Sequence, residues 1–189
     1  MDLRFSEVFL KVLEFSRDEA LRTGWHSVCP DHIVLGIMRH ATCAECTVLE
    51  RSGVSLAEMK SKLDGAIFAE EQVAWEDRDS VQLSDGSRTL IQNASLEALK
   101  CGAAAIEPLH FLLAVCRLPG SFTHDFLESR GITPRTLVEA SGLPWDRYGL
   151  DKSPSPVMPA PGTPDPALMA AAIEQRLREG YTTDNPHIS

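Results

Sequence analysis

The stretch Glu19-Ala20-Leu21-Arg22-Thr23-Gly24, followed by Val28-Cys29-Pro30-Asp31-His32-Ile33-Val34-Leu35-Gly36, decides the fold. It reads as the end of one amphipathic helix, a turn, and the start of a second helix. Gly24 stands where a helix C-terminus favours a left-handed residue. Pro30 stands where a first helical turn tolerates a missing N–H. The pattern returns as Glu97-Ala98-Leu99-Lys100-Cys101-Gly102 and Ile106-Glu107-Pro108-Leu109-His110-Phe111-Leu112-Leu113. The offset is constant, because 97 − 19, 102 − 24, 108 − 30 and 110 − 32 all equal 78. The chain is therefore read as a duplicated helical unit.

Working outward, Phe5, Val8, Phe9, Val12, Leu13 and Ala20 fall at helical spacing and predict one buried face on the first helix. A second helix starts near Pro30, a third spans roughly Cys43 to Ser52, and a fourth starts at Ser55, with Glu58 completing a capping box. No strand signal is visible, so the expectation is all-α: two tandem four-helix repeats, about eight helices, and no β-sheet. In the second unit Ser84, Arg117, Leu127-Glu128 and Gly131 match Ser6, Arg39, Leu49-Glu50 and Gly53, and Thr133-Pro134 opens the fourth helix. The expected organisation is a domain over 1–150, with repeat one at 3–67, a connector at 68–82 and repeat two at 83–143. A Pro-rich tail follows at 151–189. Six prolines between Pro154 and Pro166 read as a stiff extended linker. Beyond it, 165–179 reads as a short helix with an apolar stripe of Met169, Ile173 and Leu177.

Composition narrows the function classes. Hydrophobic residues make up 43% of the 189, enough for a core, and no apolar run has the length of a membrane span. A net charge of −9 argues against nucleic acid. The acidity is concentrated in the connector, where Glu70, Glu71, Glu76, Asp77 and Asp79 face Arg78 alone. Five scattered cysteines suit reduced thiols and a cytoplasmic setting.

The paired Gly…Pro-x-His patterns resemble the Clp N-terminal domain, the double repeat that precedes the ATPase rings of Clp unfoldases. Arg4-Phe5-Ser6, Glu19-Ala20-Leu21, Gly24 and the run His32 to Gly36 carry the resemblance in the first repeat, and Ile106 to His110 in the second. It covers about residues 3–143. It implies a pseudo-two-fold domain of eight helices that docks substrates and adaptors. The sequence contains no Gly-x4-Gly-Lys-Ser/Thr phosphate loop, so the expectation is a standalone copy without an ATPase module. The resemblance places a protein- or peptide-binding face where the two units meet, at the helix-one starts, with Phe5, Ser6, Val81 and Leu83. ClpC-type members carry a Glu at the second position of helix two that contributes to a phosphoarginine pocket. Asp31 keeps a carboxylate there on a shorter arm, and Leu109 has lost it. An equally available reading of the apolar face residues is that they complete the core.

Other candidates have plainer readings. Cys43-x-x-Cys46, with His40 beside it, and the evenly spaced His26, Cys29 and His32 have some of the ligands of a metal site. Repeat two has no matching cluster, so helix-packing cysteines are the preferred reading. His32 and His110 recur without a shared nucleophile, which favours structural histidines held by backbone hydrogen bonds. The expectation is therefore a non-enzymatic protein-binding module, with no catalytic residue, no cofactor and no metal. It would be an accessory or adaptor of a Clp system, monomeric, binding a Clp ATPase or protease subunit or a substrate protein, with no nucleic acid and no membrane. The alternatives are a stress-related binding domain independent of Clp, and a thiol- or metal-dependent protein built on Cys43 and Cys46.

Overall fold

The computed structural model describes residues 4–40 and 43–147. Eight α-helices occur among them: α1 Glu7–Arg22, α2 Pro30–Arg39, α3 Ala44–Arg51, α4 Leu56–Ile67, α5 Asp85–Lys100, α6 Pro108–Arg117, α7 Phe122–Ser129 and α8 Pro134–Ala140. Every helix of the second repeat starts at one offset from its counterpart, since 85 − 7, 108 − 30, 122 − 44 and 134 − 56 all equal 78. The fold is all-α, as the duplicated spacing predicts. The proline-rich stretch and short helix expected at 151–189 lie outside the described residues.

The helix starts follow from local chemistry. Ser6 and Ser84 cap α1 and α5, each hydroxyl accepting from the amide three residues on. Ser55 accepts from the Glu58 amide at 3.3 Å. The Glu58 carboxylate does not close the expected capping box; it pairs with Arg130 of the other repeat. At α2 and α6 proline takes the first position. The ends of α1 and α5 pass through Gly24 and Gly102, both at positive φ, +83° and +67°.

The expectation of no β-sheet is corrected. Four very short strands occur among the described residues: β1 Arg4–Phe5, β2 Ser27–Val28, β3 Gln82–Leu83 and β4 Ala105–Ile106. They form two parallel pairs, β1 with β4 and β2 with β3. Both pairs run between repeats, so the strand before helix one of each unit lies beside the strand before helix two of the other. The ladders continue symmetrically, with Ser6 N–H donating to Ile106 C=O at 3.1 Å and Ser84 N–H to Val28 C=O at 3.0 Å. A strand this short has no hydrophobic period, and its partner is remote along the chain (Arg4 with Ala105, Ser27 with Gln82), so sequence pattern does not report it.

One apolar core spans both repeats. Phe9 and Phe111, with ring centroids 6.0 Å apart, meet across the repeat boundary, and Leu13, Ile33, Leu49, Met59, Leu63 and Leu113 are wholly buried. Val8, expected on the buried face of α1, is instead 37% exposed.

The connector crosses the C-terminal end of α1. Ala69 N–H donates to Thr23 C=O at 2.8 Å, and the Glu71 carbonyl passes so close to Gly24 that an added Cβ would lie 2.0 Å from it. A Cβ on Gly102 meets no described atom within 4 Å. Gly24 therefore answers two constraints and Gly102 one. Gly102→Ala is expected to cost about 1 kcal/mol, the strain of a left-handed alanine, and Gly24→Ala about twice that or more. Urea unfolding of the two variants measures the difference.

Candidate functional site

The boundary between repeats is built around the N-terminus of α7. Ser121 accepts from the His124 amide at 3.0 Å. The two preceding amides are satisfied from the other repeat: Asp31, at the second position of α2, accepts from Phe122 N–H at 3.2 Å and Thr123 N–H at 2.7 Å. The Thr123 hydroxyl donates to the same carboxylate at 2.7 Å. Three orphan amides of one helix are thus accounted for, two of them by a carboxylate at the helix's positive end. Asp31 is 6% exposed, with both oxygens engaged inside the molecule. Its counterpart Leu109 is buried.

The other expected face residues divide. Phe5 is half-buried, its ring 5.6 Å from that of Phe9. Ser6 is half-buried and caps α1. Val81 and Leu83 lie in the core at 0% and 5% exposure. Leu83 is the register equivalent of Phe5, so the two helix-one starts differ in chemistry. At α5 the Ser87 hydroxyl donates to Val28 C=O at 2.6 Å and seals the end. At α1 the corresponding residue is Phe9, and Val8 remains open to solvent. Phe5 and Ser6 are half-buried and Val8 is exposed, whereas Asp31, Val81 and Leu83 are buried.

A second surface was only half visible in the sequence. The connector acids Glu70, Glu71, Glu76, Asp77 and Asp79 are all exposed. Phe68 and Trp75 on the same connector are 55% and 62% exposed, and Trp25 donates its indole N–H to Ile67 C=O, at the end of α4, at 2.5 Å. Arg78 holds the connector to α1: its Nε and Nη2 reach Asp18 at 2.7 and 2.6 Å, and its guanidinium lies over Trp75. The acidic composition was readable; the outward placement of the aromatic rings was not, because apolar residues in a connector read equally as core.

The duplicated histidines hold helix starts. His32 Nδ1 accepts from Cys29 N–H and His110 Nδ1 from Glu107 N–H, both at 2.9 Å. The ring proton is therefore on Nε2, which donates to the Thr23 hydroxyl at 2.8 Å in one repeat and to Cys101 Sγ at 3.4 Å in the other. Burial pushes both imidazoles down to about 4, the nearby Arg22 adding to this for His32. They are neutral at physiological pH. Each presents its proton to the hydroxyl or thiol it faces, so neither ring is placed as a base toward that group. The thiols move the opposite way. Burial raises Cys29 to about 11 and Cys116 to about 12. It raises Cys43 further, with help from Glu45, whose carboxylate accepts from Cys43 Sγ at 2.8 Å. Thiols held in the protonated form are weak nucleophiles and weak metal ligands. Among the described residues no group of three or more His, Cys, Asp or Glu side chains is placed to hold a metal. No described helix is long and apolar enough to cross a membrane.

The geometry is that of two four-helix repeats fused by crossed strand pairing. Comparison with known proteins agrees. Residues 4–130 match the Clp repeat (R) N-terminal domain, and the chain belongs to that family. The family is a non-catalytic interaction module, found in N-terminal regions of Clp ATPases that bind substrates and adaptors. The chain is 25% identical over 134 residues to chaperone protein ClpB of Oceanobacillus iheyensis. It is 24% identical over 134 residues to the negative regulator of genetic competence ClpC/MecB of Bacillus subtilis. Each match covers 71% of this chain and only 15% of the relative.

The buried polar groups set two expected outcomes. Asp31→Ala leaves two helix-terminal amides without acceptors and should cost on the order of 3 kcal/mol of unfolding free energy, whereas Leu109→Ala acts only through packing. For the histidines, the folded-state value lies below the unfolded one, so the unfolded chain binds more protons between pH 6.5 and about 4. Their contribution to stability is complete above pH 6.5 and falls as pH drops through that window, by roughly 2 kcal/mol or more per histidine. In urea titrations at pH 7 and pH 4.5, His32→Gln combined with His110→Gln should flatten this loss relative to the parent.

Proposed function

We propose that this chain is a non-enzymatic protein-binding module that serves as an accessory or adaptor of a Clp chaperone or protease system in the cytoplasm. Its partner is a Clp ATPase or protease subunit, or a substrate protein on its way to one. The observation that carries this reading is the family match across both repeats in a chain that spans about 15% of its relatives' length. What is shared is the docking part of those proteins. The buried neutral histidines and high-pKa thiols support a role without chemistry. The working surface is the α1 start, with Phe5, Ser6 and the exposed Val8; Val81, Leu83 and Asp31 support it from below. This arrangement gives phosphoarginine no free carboxylate at Asp31, whose oxygens serve α7. Binding through the surface is therefore apolar.

The test measures binding of the purified full chain to purified Clp ATPase and protease subunits of its source cell, with Val8→Asp as the probe. Val8 is exposed and its replacement leaves the core intact, so the circular dichroism spectrum should be unchanged while affinity falls about tenfold, the loss of one good apolar contact. Leu83→Asp is unsuitable, because a buried carboxylate at that site disrupts folding. Failure to bind any Clp subunit, indifference to Val8→Asp, or ATP hydrolysis by the pure chain overturns the proposal.

A further inference from the structure

Phe68 and Trp75 are the most exposed large apolar side chains among the described residues, at 55% and 62%. Both lie on the connector, which is fixed along its length. Ala69 N–H donates to Thr23 C=O at 2.8 Å, and the Glu71 carbonyl is packed against Gly24. Val73 packs on the core, and Arg78 reaches Asp18 at 2.7 and 2.6 Å. Val81 is then wholly buried, and Gln82–Leu83 pairs with Ser27–Val28. The attachment points Asp18, Thr23 and Gly24 span about 9 Å along the end of α1. A segment held this closely and still keeping two aromatic rings in water forgoes the stabilisation their burial brings. It also presents them already ordered, so a partner has little entropy to lose in meeting them.

The charge around the rings selects the partner. Glu70 and Glu71 lie between Phe68 and Trp75 in sequence, Glu76, Asp77 and Asp79 follow Trp75, and all five are exposed. Among the described residues none of the five joins a salt bridge; the nearby cations Arg22, Arg39, Lys60 and Arg78 are bonded to Asp18, Glu19 and Asp64. Arg78 shows what this chemistry attracts. Its guanidinium lies 5.3 Å from the Trp75 ring centroid while its N–H groups hold a carboxylate, and Trp75 is still 62% exposed. A nucleic acid or an anionic membrane meets five like charges here, and so does a second copy offering the same face. A segment carrying arginines and apolar side chains meets opposite charge and open rings.

We propose that the connector face built on Phe68 and Trp75 is a second protein-docking surface, which takes an arginine-bearing, partly apolar segment of a partner protein. It rests on the reading of the chain as a protein-binding module and adds a face that works by charge and ring stacking, unlike the α1 start. The experiment uses the full chain and a fluorescently labelled synthetic peptide of arginine and leucine, beside controls in which glutamate or serine replaces every arginine. Fluorescence anisotropy should show binding of the arginine peptide alone, weakening about tenfold from low to physiological salt. Trp75→Ala should lower the affinity about tenfold with an unchanged circular dichroism spectrum, because the ring is exposed. Glu70→Gln, Glu71→Gln and Glu76→Gln together should flatten the salt dependence. No binding of the arginine peptide, equal binding of the serine peptide, or indifference to Trp75→Ala overturns the proposal. So does self-association of the chain that Trp75→Ala abolishes, which makes a second copy the occupant. The sample contains no Clp subunit and the probe is not Val8, so failure here and failure of the proposed function are read separately.

Discussion

Neither repeat completes its own backbone hydrogen bonding ahead of its first two helices. The chain entering α1 is paired with the chain entering α6, and the chain entering α5 with the chain entering α2. Buried amides and carbonyls require partners, and here the partners lie in the other repeat. Asp31 adds a third link of the same kind, a carboxylate of repeat one closing a helix of repeat two. The consequence is one core, with Phe9 against Phe111, in place of two small bundles joined by a tether. A single four-helix unit of this size would bury only a modest fraction of its surface alone; fusion doubles the domain that shares a core.

The symmetry that builds the domain is broken where surfaces matter. Phe5 and Leu83 occupy equivalent places, yet Phe5 is half-buried and Leu83 buried, and the serine of the second copy, Ser87, bonds Val28 C=O across the boundary. Asp31 and Leu109 are equivalent too, and only the carboxylate caps a helix. Gly24 is pressed by the connector, while a Cβ added at Gly102 would meet no described atom within 4 Å. Duplication supplies a scaffold with two of everything, and single differences at matching positions give the two copies different surroundings.

Much of the scaffold was legible because local chemistry writes itself at short range. Glycines at helix ends, prolines at helix starts and serine caps each depend on a few neighbouring residues, and all recur at the same offset. The roles of His32 and His110 were legible for the same reason, since each bonds the amide three residues before it. The candidate site was legible only in part. Phe5 and Ser6 lie at a surface, whereas Val81 and Leu83 lie inside, because an apolar residue beside a helix start has the same sequence signature in a groove and in a core. Val8 shows the converse, an apolar residue on the helical period that the neighbouring repeat does not reach.

The sequence by itself determined the repeat, its constant register, the helix boundaries and the concentration of acid in the connector, since these rest on backbone geometry and composition. Only the tertiary structure decided that the repeats exchange strands, that the Asp31 carboxylate is taken up by α7, and that Trp75 and Phe68 face solvent. Those outcomes depend on contacts between residues far apart along the chain, where no periodicity operates and where one side chain's partner is known only once both elements are in place.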